Sequence, residues 1–406
     1  MRRPAKFVVV HNGSRDGYQV AAALAEAGLL ECLVTDLYAP APLTGLAGFF
    51  ARRRHPAVPY RRVRQLWRVF AAQAAARVLR LPLDRVFAVT DQWLARDASR
   101  IARRRSAGLL CYGSYVPPRS LTEGLPVIDF EYHPHPGATF EILARDHALY
   151  PETTESFARE EREHRRVAPD DPWRRAGSVI CASSMTRRSL EFAGADPARI
   201  SVVPYGMDPA QAVAPRPPGD CRFLFVGQGI QRKGLHHLIR AWQTRPRSDA
   251  TLTLVCYRLD PAIAALIIDD SIQVLSRRSP EELADLYRQA DVFVMPSLVE
   301  GFGLVYLEAL AHGCHVIGTT NTGLPDLDLG AEAATIIEPG EIPALDLALT
   351  DLVERKRNGA FDPQAIANRA ARWSWADFRR EIAASVTAGG AGQTPSSSAW
   401  LTRTGS

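Results

Sequence analysis

Cysteine is scarce in this 406-residue sequence, with six residues, Cys32, Cys111, Cys181, Cys221, Cys256 and Cys314, in no C-x-x-C pair and with no histidine at metal-ligand spacing. That excludes a disulfide framework and a zinc ribbon, and predicts reduced core thiols. No apolar run approaches the roughly 18 residues of a membrane-spanning helix. The basic start Met1–Lys6 is followed only by the apolar run Phe7–Val10 before His11 and Asn12. A secretory signal needs roughly 7 to 15 apolar residues there. A cytoplasmic protein is expected, at most peripheral on the inner face of the membrane. Internal repeats are missing as well, which excludes a solenoid.

Acidic residues are absent from Leu37 to Leu83, whereas Arg52, Arg53, Arg54, Arg61, Arg62, Arg64, Arg68, Arg77 and Arg80 all fall there. Interleaved with Trp67, Val69, Phe70 and Leu79, these cations suit a solvated helical face or, over residues 49–80, an amphipathic segment on an anionic membrane. They could also face nucleic acid, but no nucleic-acid partner is expected.

Hydrophobic residues make up 46% and charged residues 23%, enough apolar material for globular cores. A chain of this length exceeds a single core, so two domains are predicted. The run Lys6–Val10, a turn over Gly13–Gly17, a helix over Tyr18–Ala27 and a strand over Leu30–Val34 open a parallel α/β sheet. Further strands are expected at 108–111, 126–130 and 178–181, with a charged helix over Thr153–Arg166. Pro204, Pro209, Pro215, Pro217, Pro218 and Gly219 mark a linker. Strand and helix patterns then alternate again, predicting a second α/β unit. The expected division is 1–208, 209–368, a C-terminal helix over 369–386 that returns to the first domain, and a disordered tail over 387–406.

The sharpest constellation is Pro296-Ser297-Leu298-Val299-Glu300-Gly301-Phe302-Gly303-Leu304-Val305-Tyr306-Leu307-Glu308. A buried strand leads into a glycine turn and then a helix. Such a helix start offers free N–H groups and partial positive charge to an anion, and the glycines allow close approach. Glu300 and Glu308 could grip hydroxyls on either side of it.

This segment resembles the signature of the family-four glycosyltransferases of the GT-B fold, in which two Rossmann-like parallel-sheet domains face each other across a cleft. Val179–Leu190, Ile200–Asp208, Phe225-Val226-Gly227 and Arg232-Lys233-Gly234 are similar to further parts of that family. The resemblance implies a retaining, metal-independent transfer of a hexose-type sugar from a UDP- or GDP-sugar to a glycan or lipid-linked acceptor. It implies that Glu300 bonds the donor sugar. The backbone of Phe302, Gly303 and Leu304 would meet sugar and diphosphate, and Glu308 the ribose. Gly227, Lys233 and Arg232 would face the diphosphate, with Gln228 standing where many relatives have arginine. Either His133 or His135 would face the reacting sugar, and Gly17 would close on the phosphate. No cofactor, metal or protein nucleophile is implied.

Rival readings fit less well. Gly13 and Gly17 lack the dinucleotide spacing G-x-G-x-x-G, and no P-loop occurs. Asp326-Leu327-Asp328 matches a metal-binding D-x-D pattern, but it lies beyond the donor turn. The remaining alternative is a catalytically inactive protein of this fold that binds membrane or nucleic acid through its arginines.

Overall fold

The computed structural model describes residues 6–40, 52–166, 171–208, 213, 215–216 and 218–389. Two wholly parallel sheets carry the chain. The first has seven strands: β1 (Phe7–Val10), β2 (Leu30–Thr35), β3 (Val63–Gln65), β4 (Gly108–Tyr112), β5 (Val127–Glu131), β6 (Ser178–Cys181) and β7 (Ile200–Val202). Their spatial order is β3-β2-β1-β4-β5-β6-β7. The second has six: β8 (Cys221–Gly229), β9 (Ala250–Leu259), β10 (Ile272–Leu275), β11 (Val292–Val294), β12 (His315–Thr319) and β13 (Ala334–Ile337), in the order β10-β9-β8-β11-β12-β13.

Helices cover both faces of each sheet, so the central strands are apolar throughout instead of alternating. Phe7, Val8, Val9 and Val10 are all buried, as are Val292, Phe293 and Val294. In each sheet the strand order reverses once, between β1 and β4 and between β8 and β11. Such switch points leave a crevice beyond the strands' C-terminal ends, where ligands of open α/β sheets bind.

Several elements carry no clear sequence signal. Helices Trp67–Val78 and Leu83–Arg105 pack together within and beyond the arginine-rich region, and Pro136–Leu149 is a further helix after β5. The helix expected to stop at 386 continues to Gly389, which corrects the start of the expected tail; residues 390–406 lie outside the described residues. That helix lies against Gln19–Glu26 and pairs Arg379 with Glu26 at 2.8 Å. Residues 49–51 of the proposed membrane segment and much of the proline-rich linker also lie outside the described residues.

Candidate active site

The site grows from the switch point of the second sheet. The end of β8 leads into the turn Gln231–Lys233 and then, through left-handed Gly234 (φ 66°), into helix Leu235–Trp242. A Cβ on Gly234 would lie 2.0 Å from the Pro296 carbonyl oxygen. Only glycine lets the two loops touch, and this contact sets Lys233 beside the loop after β11. There Glu300 is buried. It accepts from Arg232 Nη1 at 3.0 Å and from Lys233 Nζ.

Two cations therefore converge on one carboxylate. Burial pushes the Glu300 carboxyl up, but Arg232 and Lys233 outweigh it and hold the group well below the usual carboxylate range. Burial lowers the Lys233 ammonium despite its attraction to Glu300. Arg232, with Glu300 as its dominant neighbour, is raised. One positive charge is left in excess, a balance suited to an anionic ligand.

Beyond Glu300, left-handed Gly303 (φ 90°) starts helix Leu304–Ala311, and no side chain caps it. Its first N–H groups remain available to a ligand. Phe302 is buried, with its ring 5.5 Å from that of Tyr205, so what this residue can offer a ligand is backbone. Leu304 is exposed. Glu308 is solvent-accessible and accepts from the Tyr287 hydroxyl at 3.3 Å, while desolvation by its neighbours raises its carboxyl.

Glu308 lines a groove of about 860 Å³ with Gly227, Tyr257, Arg277, Arg278 and, from the other domain, Arg52. Sequence reasoning misses Tyr257, Arg277, Arg278 and Arg52 as parts of a site. The arginine pair directly before the capping box Ser279-Pro280-Glu281-Glu282 is the available signal. Gln228 donates to the Tyr257 hydroxyl.

The N-terminal domain closes over this site. A Cβ on Gly301 would fall 2.0 Å from the Tyr132 carbonyl oxygen, and the Gly301 carbonyl accepts from Ser183 Oγ and, at 3.2 Å, from Thr186 Oγ1. His133 follows Tyr132 and faces the cleft groups. The protein around it, and then Arg232, Arg15 and Lys233, hold its imidazole below the ordinary value, against the pull of Glu300.

His135 is held by groups of its own domain. Its Nδ1 accepts from Gly137 N at 3.1 Å, capping helix Pro136–Leu149, and its Nε2 lies 3.2 Å from Asp171. Both ring nitrogens are engaged within the N-terminal domain. Asp326 is engaged across the domains: it accepts from Ser184 N at 2.8 Å and from Ser184 Oγ, satisfying a free N–H at the start of helix Ser184–Phe192. Gly17 is exposed in a turn where Asp16, Gly17 and Tyr18 are all left-handed.

A second cavity, about 710 Å³, sits at the switch point of the first sheet and has no counterpart in the sequence reading. It is lined by Arg15, Asp36, Arg53, Arg77, Asp91 and Tyr115 and by the apolar faces of Phe70, Val78 and Phe87. Arg53 pairs with Asp36 at 2.5 Å. Burial, only partly offset by Arg15, raises the Asp91 carboxyl to about 7.

Comparison with known proteins bears on family resemblance and fold. Residues 220–355 match the family model described as glycosyl transferases group 1. An MMP alpha-(1->4)-mannosyltransferase of Mycolicibacterium hassiacum is 33% identical over 190 residues, 44% of this chain and 45% of that protein. A D-inositol 3-phosphate glycosyltransferase of Kineococcus radiotolerans is 32% identical over 241 residues, 49% of this chain and 54% of that protein. The chain thus spans about half the length of the curated relatives it matches. Among solved structures, sucrose-phosphate synthase from Thermosynechococcus elongatus superimposes with a TM-score of 0.60 at 18% identity, covering 94% of this chain and 97% of that one. Anabaena Alr3699/HepE, in complex with UDP and glucose, gives 0.57 at 16%, covering 94% and 99%. Residues 220–355 thus resemble the glycosyl transferases group 1 family, on a chain with the GT-B fold of two facing Rossmann-like domains.

Proposed function

We propose that the protein is a retaining glycosyltransferase that moves a hexose-type sugar from a nucleotide sugar to a glycan or lipid-linked acceptor. The observation that carries this reading is the convergence of Arg232 and Lys233 on Glu300 beside the uncapped start of helix Leu304–Ala311. When the bond between the sugar's anomeric carbon and the donor phosphate breaks, negative charge grows on the departing diphosphate. Fixed cations and free N–H groups stabilise that charge more in the transition state than in the ground state. The acceptor hydroxyl attacks from the same face, and its proton passes to the departing phosphate oxygen. No metal, cofactor or protein nucleophile takes part.

In this reading Glu300 exchanges its cations for hydroxyls of the sugar once the diphosphate has claimed Lys233 and Arg232. Glu308 holds the ribose, Gly227 borders the diphosphate, and Gly17 lies on the N-terminal loop facing it. His133 is the histidine that faces the reacting sugar. The acceptor takes the cavity of the first sheet. Anabaena HepE binds UDP and, in another structure, UDP-glucose, which makes UDP-sugars the first donors to test, ahead of GDP-sugars. Thermal shift against a panel of nucleotides identifies the donor class, because binding to the native state raises its stability. Purified protein should release nucleoside diphosphate from the stabilising donor, and Glu300→Ala should abolish release; unchanged turnover in that variant refutes the site.

A membrane contact is part of the proposal. Trp67, Val78, Leu79, Leu81 and Val89 are all exposed on or beside helices Trp67–Val78 and Leu83–Arg105, among Arg68, Arg77 and Arg80. Among the described residues no helix is long and apolar enough to cross a membrane, so this contact would be peripheral. Co-sedimentation with liposomes should depend on anionic lipid; equal pelleting with neutral liposomes argues against it.

A further inference from the structure

A third polar cluster lies away from both cavities, where helix Pro136–Leu149 of the N-terminal domain meets helix Leu235–Trp242 of the C-terminal one. Asp146 projects from the first, and His236 and His237 from the first turn of the second. All three are buried, with less than a tenth of each exposed. His236 Nε2 lies 3.1 Å from Asp146 Oδ2, and His237 Nε2 lies 2.8 Å from Oδ1. One donor atom from each residue falls within 4.8 Å of the others.

Hydrogen bonding accounts for only part of this arrangement: His236 Nε2 bonds Asp146, at 3.1 Å from Oδ2 and 3.3 Å from Oδ1. His237 Nε2, despite its short approach, is off the line a hydrogen bond needs, and both Nδ1 atoms are buried without a partner. Gln231 donates its amide N–H to Asp146 Oδ2 at 2.8 Å, but its own Oε1 is buried and unsatisfied beside the cluster. Asp146 forms its ion pairs with the two imidazoles, and no lysine or arginine pairs with it among the described residues. A buried carboxylate in that position calls for a cation.

We propose that Asp146, His236 and His237 bind a divalent transition-metal ion, zinc by ligand type, which ties the two domains together behind the Gln231–Gly234 turn. Two imidazoles and a carboxylate are a borderline donor set that suits zinc rather than magnesium or calcium. The ion takes the lone pairs of the two Nε2 atoms, whose protons move to Nδ1, and one carboxylate oxygen. The fourth position goes to water or to Gln231 Oε1. Ligands of one tetrahedral zinc stand roughly 3.3 Å apart, and the two imidazole-to-carboxylate distances of 3.1 and 2.8 Å fall close to that spacing. Neither Nδ1 has a hydrogen-bond acceptor, and missing support of that kind weakens metal sites by about 10- to 100-fold. Binding is therefore expected to be reversible and removable by chelator. The ion is assigned no chemical step, so the inference stands apart from the proposed reaction. Its consequence is mechanical: Lys233 lies three residues before His236, so the metal would fix the donor-facing turn against the N-terminal domain.

The test uses the full chain, stripped with chelator and dialysed against zinc. One zinc per chain should be retained, and titration with cobalt(II) should give the visible absorption of a four-coordinate N/O site. His237→Gln and Asp146→Asn, checked for folding by circular dichroism, should each bind at least tenfold more weakly. The thermal midpoint should rise with zinc in the parent and not in the variants. A folded parent that retains no zinc and shows no cobalt band overturns the proposal, since the cluster is then a hydrogen-bonded domain contact only. Equal zinc binding in parent and variants overturns it too, because the ion then sits elsewhere. The parent measurement stands even if both variants unfold.

Discussion

The two switch points of this molecule are built alike and charged differently. In the second sheet, Arg232 and Lys233 share the single carboxylate of Glu300. In the first, Arg15, Arg53 and Arg77 share a cavity with Asp36 and Asp91, and Asp91 is held partly protonated near neutral pH. The arrangement in the second sheet keeps a fixed positive excess next to an uncapped helix start, which suits the departing diphosphate of the proposed reaction. The cavity of the first sheet has a charge that changes with pH and an apolar wall of Phe70, Val78 and Phe87, which suits an amphipathic acceptor. One fold topology thus supports both a permanent electrostatic site and an adjustable one, because loops beyond the strand ends set the chemistry while the strand order sets only their position.

The largest expected effect separates the two sites. Lys233→Ala should lower kcat by about 10²- to 10³-fold, the usual cost of removing one donor to transition-state charge, with little change in acceptor KM. If kcat stays within a factor of a few, the cluster is structural and the comparison fails.

Next comes the loop contact that positions Lys233. Gly234→Ala forces a Cβ onto the Pro296 carbonyl and should cost about 1 to 3 kcal/mol, measured by denaturant unfolding. Gly28 has a similar φ and nothing within 4 Å of its Cβ position, so Gly28→Ala should be milder. Equal losses would mean that backbone strain, not the interloop contact, sets the cost.

Asp326→Ala removes the cap that the C-terminal domain supplies to helix Ser184–Phe192. A loss of about 1 kcal/mol in stability is expected, with no metal dependence gained or lost. An effect on activity alone would reopen the D-x-D reading.

The smallest effect is the pH response of the first cavity. Since burial raises Asp91 to about 7, its charge appears as pH rises from about 6 to about 8. An anionic acceptor should then bind more weakly, with KM rising by less than tenfold. Asp91→Asn should flatten that profile. The stability contribution runs the same way over a lower window: a carboxyl whose folded value is raised to about 7 loses stability as pH rises from its ordinary value near 4 to about 7. A profile unchanged by the variant assigns the response to another group.

The cluster at the second switch point was legible because its residues are local in sequence. Glu300 and Glu308 lie on one short loop and the helix after it, and Arg232-Lys233-Gly234 on one turn, so residue type and spacing already carry the polarity of a helix start and the close approach of a glycine. His133 and His135 show where that stops. Two residues apart on one loop, they read alike as letters, but one faces Glu300 and the other caps a helix. Asp326 shows it again: its D-x-D context points to a metal, and its actual partner is Ser184 in the other domain.

By itself, the sequence determined the two α/β domains, through apolar runs alternating with helical periods, and the charged glycine turn, through glycines and charges a few residues apart. Tertiary structure alone decided the cavity of the first sheet, the bond between Asp326 and Ser184, and the meeting of Asp146 with His236, 90 residues away. The cavity forms when distant segments of the N-terminal domain pack together, and the other two pairs meet only when the two domains close on each other; in each case the free energy comes from non-directional burial spread over many residues. Such burial leaves no pattern at any one position to announce which polar groups it will trap.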